Sequence, residues 1–521
     1  MARSSDNPFQ PYLIPTLNGG LNTRNDKTLV EDNQVTDCLN IAFDQPGVVG
    51  TRAGTETVAD EISSSQPGKG MKGYTKVNGN TYLVWKCAGA LYYITPGAST
   101  NTSIVSGLSS TEVQMDVYND VLYIANATDD FRSWDGTSTT NHAAVPKGQE
   151  FGIYENRAYI AGNPSNPSRL YFSDVGAPTT FGGSSYIDIN PGDGFKITGI
   201  KIAEGVLMVS KGDNVNKFAG GIWTVTFSSA SPPVPNGAQR TPAYKGWLRS
   251  QTFSRYESAG IYLSDDAVRS VGQLPQYPLG YRDAELSINI KPTVESLQST
   301  WNTLSSAIYI NNSYYLSVPY YQSVYNDAVL VYAYGAWSLW NSIYASHFEY
   351  WNGYIYYSDS RKGQLWRMNP DLKNDNNQPI QAYLITKYYA LGSPSVRKQI
   401  SGVQARLLAD ANSLLRVSYS TDFSNYIENT NWTINVGNTT GSPSTTPGLI
   451  GSYWGAPGAA YAGTSLPSSD LVFATRRWSF NTKCFLFSLK IEQNQLNKGF
   501  KLINFDIVAR ALPYNDYYDV N

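Results

Sequence analysis

Two histidines, His142 and His347, and three cysteines, Cys38, Cys87 and Cys484, are the whole stock of imidazole and thiol in 521 residues. A zinc protease or a Ser-His-Asp triad needs an imidazole placed by a motif, and neither histidine has one; His142 lies in the polar loop Thr137–Ala143. The cysteines are odd in number, far apart and without CxxC spacing. They read as small buried apolar residues rather than zinc ligands or a disulfide framework. Glycoside hydrolysis needs two carboxylates facing one sugar. Asp129-Asp130 and Asp265-Asp266 are adjacent, so on a strand each pair points to opposite faces, and both read as turn residues. Asn190-Pro191-Gly192-Asp193-Gly194 is an acidic turn with too few oxygen ligands at alternating positions for a calcium loop. Trp337/Trp340, Tyr350-Trp351 and Tyr314-Tyr315 could stack on sugars, although core packing is the plainer reading. The sequence therefore assigns no catalytic, cofactor-binding or metal-ligating residue. It predicts a non-enzyme without a cofactor.

The elements that would position such residues are short strands and tight turns. Phe151–Phe181 shows the unit: runs Arg157–Ala161 and Arg169–Phe172, the turn Tyr154-Glu155-Asn156, and the loop Gly162–Ser168, through which Pro, Gly and Asn let neither strand continue. Similar units follow Asn78-Gly79, Asn119-Asp120, Glu204-Gly205, Ala259-Gly260, Asn311-Asn312 and Asn352-Gly353. Aligned on Tyr82, Tyr123, Tyr159, Met208, Tyr262, Tyr315 and Tyr356, they recur at 36 to 54 residues. Four-stranded propeller blades have about that period, whereas a sandwich domain closes within about 100 residues. Three corners, Ser173-Asp174-Val175-Gly176, Ser133-Trp134-Asp135-Gly136 and Ser358-Asp359 with Gly363 and Trp366, resemble fragments of the sialidase Asp box. That box is itself a structural turn, and the arginine cluster that works in those enzymes has no convincing counterpart here.

The expectation is an all-β chain: a propeller of about five to seven irregular blades, an N-terminal arm and a sandwich-like C-terminal β-domain. Residues 1–60 form the arm, with a short helix over Lys27–Asn40. Residues 61–390 form the propeller. Residues 391–521 form the C-terminal domain, with strands available to close the propeller, which could equally borrow a closing strand from the N-terminal end. A surface helix is expected over Pro292–Leu304, where Val294, Leu297, Trp301 and Leu304 share a face. Val403–Leu408, Leu414–Ser420, Arg477–Ile491 and Phe500–Ala509 read as strands, and Gly437–Asp470 as a long loop. Charged residues make up 15% and the net charge is −2, without the basic surplus of a protein that grips nucleic acid through phosphates. The first twenty residues contain no signal-peptide core, and no run of about 18 apolar residues would span a membrane.

Asn18-Gly19-Gly20-Leu21-Asn22, Gln34-Val35-Thr36-Asp37-Cys38-Leu39-Asn40-Ile41, Pro46-Gly47-Val48-Val49 and Arg52-Ala53-Gly54 resemble, in that order, the opening of tail proteins of short-tailed bacteriophages. Tyr154–Tyr159, Pro167–Asp174, Asp193–Gly199, Val329–Tyr332 and Gly335-Ala336-Trp337 continue the resemblance over roughly residues 15–370. It implies a β-propeller tail nozzle or hub, located in the virion tail and made in the host cytoplasm. Implied partners are further copies in a ring, commonly a hexamer, with a head-to-tail adaptor on the portal side and tail fibres or spikes. Double-stranded DNA would be retained and then passed without specific binding. The rival reading is a propeller that binds carbohydrate or a receptor on a virion or cell surface.

Overall fold

Two-residue turns with both residues in the left-handed region set the local pattern. They occur at Asn119-Asp120, Glu155-Asn156, Glu204-Gly205, Asn311-Asn312 and Asn352-Gly353. This geometry matches the twist of antiparallel strands and favours Asn, Asp and Gly, so each turn fixes the register of a hairpin. The computed structural model describes residues 8–45, 47–213, 216, 218–273, 280–297, 300–410, 413–434 and 472–512. Gly437–Asp470, expected as a loop, lies outside them, as does Pro46.

The chain is nearly all β and forms a β-propeller together with a second, two-sheet unit. One unit comprises residues 55–331 and 341–369, the other residues 1–54, 332–340 and 370–521. Six four-stranded sheets follow one another in sequence. Their innermost strands are Met71–Thr75, Gln114–Tyr118, Glu150–Tyr154, Lys196–Ala203, Ser254–Tyr256 and Ser306–Ile310. A seventh sheet starts at Ala345–Trp351 and continues through Tyr354–Asp359 and Leu365–Asn369 to the N-terminal strand Gly54–Thr57. Innermost strands of neighbouring blades lie side by side, except that Lys196–Ala203 meets the fifth blade through Ser250–Thr252 and Ala259–Leu263, and Ala345–Trp351 returns to Met71–Thr75, so the ring closes.

The apolar cores lie between blades. Tyr159, Leu170 and Phe172 pack with Ile200, Leu207 and Val209 of the next blade, and Leu83 and Trp85 of the first pack with Trp351 and Tyr356 of the seventh. All seven recurring residues, Tyr82 to Tyr356, fall in the second strand of successive blades. Six of them join these interblade cores or pack against them. Burying such side chains stabilises the ring by about 1.5–3 kcal/mol each, which explains why bulky residues recur there.

The propeller takes its closing strand from the N-terminal side, one of the two chain ends that the sequence leaves open for closure. Three expectations are corrected. The second unit resumes at residue 370 rather than near 390. Lys27–Asn40 contains no helix. Asn22 Oδ1 accepts the amides of Arg24 and Asn25, Asp26 Oδ1 accepts that of Thr28, and these local bonds turn the chain. Gln34–Leu39 is then a strand paired with Ala382–Thr386, with Val35 and Cys38 fully buried and Leu29 exposed. The helix expected over Pro292–Leu304 is two short ones, Lys291–Glu295 and Trp301–Leu304, because Leu297 leaves the helix to bridge Tyr320.

The second unit holds two six-stranded sheets and is sandwich-like. One orders Ile41–Gln45, Val48–Thr51, Phe500–Ala511, Lys398–Ala409 and Val472–Cys484, with Gln10–Ile14 also on Phe500–Ala511. The other orders Gly20–Leu21, Gln34–Leu39, Ala382–Thr386, Phe487–Gln493, Ser413–Thr421 and Ile427–Ile434. Lys398–Ala409 and Ser413–Thr421 each bury roughly alternate residues, as strands with one covered face do. The single strand expected over Arg477–Ile491 breaks at Phe485-Leu486, and its halves join different sheets. No helix among the described residues is long and apolar enough to cross a membrane.

Candidate functional site

The starts of the innermost strands bring charged side chains onto the propeller axis. Arg249, just ahead of the fifth blade, places its guanidinium on Glu112, just ahead of the second, with Nη2 donating to Oε1 at 2.7 Å and Nη1 to Oε2 at 3.0 Å. Its Nε donates to the Ser305 carbonyl, ahead of the sixth blade, at 2.5 Å. His347 of the seventh blade meets the same Glu112 carboxylate. Blades two and five face each other across a seven-membered ring, so this clamp spans the axis. Burial pushes the Glu112 carboxyl up, but Arg249 and His347 outweigh it and hold the group down at about 2.

Further along the axis, Lys72 Nζ lies 3.4 Å from Asp116. Asp116 and Glu349 also lock neighbouring blades, accepting the amides of Ile153 at 3.1 Å and Gly73 at 3.1 Å. Burial works against the Lys72 charge, but Glu349 and Asp116 prevail and raise its pKa. Glu150 differs. Burial lifts it to about 7 against the opposing pull of Lys201, while burial lowers Lys201 despite Glu150. Glu150 is thus a carboxyl poised to exchange protons near neutrality. Sequence reading missed it, because Gln149-Glu150-Phe151 carries no motif and only the stacking of the third blade on the fourth brings Lys201 near.

The residues singled out in the sequence are mostly spent on structure. His142 Nε2 lies 2.8 Å from Ser133 Oγ within one blade. Asp129 accepts from Ser109 and Asn126, whereas Asp130 pairs with Lys147. Asp265 pairs with Lys245, and Asp266 with Arg269. Ser173 is buried, its Oγ accepting the Ala158 amide, and Asp135 caps its own turn by accepting the Thr137 and Ser138 amides. Asp359, fully buried, accepts from Arg361 and from Trp366 Nε1 at 3.2 Å, the work of a structural corner.

In Asn190–Gly194 a lysine supplies the cation: buried Lys211 Nζ donates to Ile189 O, Asn190 O and Asp193 Oδ1 at 2.7–2.9 Å. Among the described residues no three His, Cys, Asp or Glu are grouped to hold a metal. All three cysteines are free and buried. Trp337, Trp340, Tyr314 and Trp351 are buried, while Tyr350 is 44% exposed.

A second constellation occupies the two-sheet unit. Gly20 has φ +73, and a Cβ there would sit 2.6 Å from the Trp337 amide. Asn40, at φ +54, donates its amide to Leu339 O at 2.9 Å and its side chain to Gln381 O at 2.8 Å. Trp340 Nε1 donates to Ile41 O at 2.8 Å. Arg52, 1% exposed, donates Nε to Asn40 Oδ1 at 2.8 Å and grips Asp375 in bidentate fashion at 2.9 and 2.6 Å. Gly54 follows where a Cβ would fall 2.1 Å from Asn374 O.

No protein-family model matches the chain, and no curated protein does. Among solved structures, YCF48 from Cyanidioschyzon merolae is similar at 8% identity, TM-score 0.39, over 61% of this chain and 99% of that one. The N-terminal domain of Nup159 is similar at 9% identity, TM-score 0.28, over 70% and 96%. An exo-β-1,3-galactanase from Phanerochaete chrysosporium is similar at 9% identity, TM-score 0.26, over 74% and 100%.

Proposed function

We propose that the chain is a structural, non-enzymatic subunit of the tail nozzle of a short-tailed bacteriophage. It assembles into a ring that retains packaged DNA and lets it pass at ejection. The observation that carries this reading is the junction around Arg52. Motifs that resemble the tail proteins, Gly20 to Asn22, Leu39 to Ile41, Arg52 to Gly54 and Gly335 to Trp337, stand up to about 300 residues apart in sequence. They nevertheless come together: Arg52 hydrogen-bonds Asn40, and Gly20 closely approaches Trp337, whose strand continues to Trp340, a donor to Ile41. Motifs that build one junction are a single signature rather than separate coincidences. The net charge of −2 also suits a conduit, which must not trap phosphates.

Ring neighbours, a head-to-tail adaptor and tail fibres or spikes are the proposed partners, with a hexamer as the expected ring. Electron microscopy of the assembled particle tests the reading. A closed ring of this chain around a central channel is expected, and isolated monomers in assembled tails overturn it.

A further inference from the structure

In the two-sheet unit, Lys398–Ala409 buries Ile400, Val403, Ala405 and Leu407 on one face, and the residues between them form an open one. Residues directly opposed in neighbouring strands share that open face. Gln399 is opposed by Lys483 and Arg510, Gln404 by Arg477 and Asp506, Arg406 by Asn504, and Leu408 by Lys501. The face thus carries five cations, Arg406, Arg477, Lys483, Lys501 and Arg510, against one carboxylate, Asp506. In a chain of net charge −2, this excess of four positive charges leaves an excess of six negative charges elsewhere. Much of that lies at one end of the propeller. Turns from first to second strand carry Asp120, Glu155, Glu204 and Glu257 on four successive blades, and turns from third to fourth strand add Asp135 and Asp174. Both sets of turns share an end: Lys76 Nζ, in the first blade's turn, donates to Asp135 O, and the Gly176 amide donates to Asn156 O at 2.8 Å. We propose that a second copy of this chain sets its acidic propeller end on the basic sheet face, so that contacts in the ring run head to tail.

The contact rests on the proposed ring and names its two surfaces. A ring needs a heterologous contact, made by two different patches of the same chain. Faces of opposite charge supply this, because each repels its own kind and attracts the other. The basic face is also ordered. Arg510 Nε donates to Gln399 Oε1 at 2.9 Å, and Gln399 Nε2 donates to Asn481 Oδ1 at 2.6 Å. Arg406 Nη1 donates to Asn504 Oδ1 at 2.7 Å, and its Nη2 lies 3.1 Å from Asp506. Arg477 and Lys483, on the strand Val472–Cys484, are exposed and have no ion pair among the described residues. Two strands of 12 residues and one of 13 span about 40 Å by about 15 Å, or about 600 Å². That is the low end of one partner's share in a specific interface, weak alone and adequate when a closed ring repeats it. Left open, such a face would hold phosphates, which a conduit must release; an acidic neighbour covers it.

Sedimentation velocity and micrographs of the full chain test the contact at about 0.1 M and about 1 M salt, where charges are screened beyond about 10 Å and about 3 Å. Rings are expected at the lower salt, with association weakened about tenfold or more at the higher. Arg477→Glu with Lys483→Glu cancels the basic excess, and Glu155→Lys with Glu257→Lys removes most of the acidic one. All four side chains are exposed, so near-ultraviolet circular dichroism should match the parent. Each double variant alone should stay monomeric. An equimolar mixture should form one-to-one dimers, because each variant keeps the face the other has lost. Should a variant fail to fold, glutamine at the same two positions replaces it, with the same outcomes expected. Rings unchanged in both variants overturn the contact and leave the ring standing. A parent that stays monomeric at both salt concentrations also overturns the contact, and micrographs of the particle then judge the nozzle reading by themselves. Fluorescence anisotropy with a short mixed-sequence DNA duplex covers the other polyanion: binding lost in the Arg477/Lys483 variant while its rings persist would give the face to DNA and overturn the proposal.

Discussion

Glu150 makes propeller stability fall as pH rises from mildly acidic to neutral. Its carboxyl, ordinarily near 4.5, stands at about 7 because burial outweighs the pull of Lys201. Below about 4.5 the group is protonated in both folded and unfolded chains and contributes no pH dependence. Between about 4.5 and 7 the folded chain keeps a proton that the unfolded chain has released, so stability falls with rising pH. Above 7 the loss is complete, at about 3 kcal/mol. Glu150→Gln is neutral at every pH and lacks this loss. Relative to the parent, the variant should gain about 3 kcal/mol between pH 4.5 and 7.5. Urea unfolding read by pulsed hydrogen exchange on peptides covering Glu150–Ala161 follows the propeller separately from the two-sheet unit. A difference between variant and parent that stays constant over this range would refute the reasoning.

Glu112 acts with the opposite sign and at lower pH. Held at about 2 by Arg249 and His347 against burial, it contributes about 3 kcal/mol that is present above 4.5 and lost as pH falls towards 2. Glu112→Gln should flatten the acid limb of the propeller's stability curve, and an unchanged limb would count against the clamp. Arg52→Met should weaken the two-sheet unit by about 3–5 kcal/mol, because a buried guanidinium and its bidentate grip on the nearly buried Asp375 carboxylate are lost; denaturant titration followed by exchange of its strands measures this. Gly199→Ala should destabilise the propeller by about 1–3 kcal/mol, since its Cβ would lie 2.0 Å from buried Trp247 Nε1. Gly152→Ala, with nothing within 4 Å of its Cβ, should change stability by less than about 0.5 kcal/mol. Equal effects for the two alanines in melting experiments would show that crowding is not what fixes Gly199.

The recurrence of Tyr82 to Tyr356 was legible because all seven fall in the second strand of a blade and six pack between blades, so packing repeats what sequence repeats. Turns such as Glu155-Asn156 were legible because left-handed backbone restricts residue choice locally. What escaped was non-local. Lys27–Asn40 has a passable helical spacing, but Val35 to Leu39 are claimed by a strand some 350 residues later, and no window of sequence contains that partner. The same holds on the axis, where Glu112 and Arg249, 137 residues apart, became a pair only through the blade count. Trp351 is buried between blades, as core packing predicts for the Tyr350-Trp351 pair, while Tyr350 is exposed; alternation along the strand decides which of the two, and sequence leaves that phase open.

The clamp on the axis bears on where DNA would travel. A bidentate pair between Glu112 and Arg249 at 2.7 and 3.0 Å, with His347 against the same carboxylate, crosses the propeller axis at that level. In the proposed ring the channel must therefore lie between subunits, lined by their outer surfaces, while the propeller axis serves rigidity. Virions carrying Glu112→Gln should lose acid-sensitive stability yet eject DNA at the parental rate at neutral pH, because the clamp lies off the path. Ejection that quickened in the variant, with ring assembly unchanged in micrographs, would place DNA on the propeller axis and refute a path between subunits.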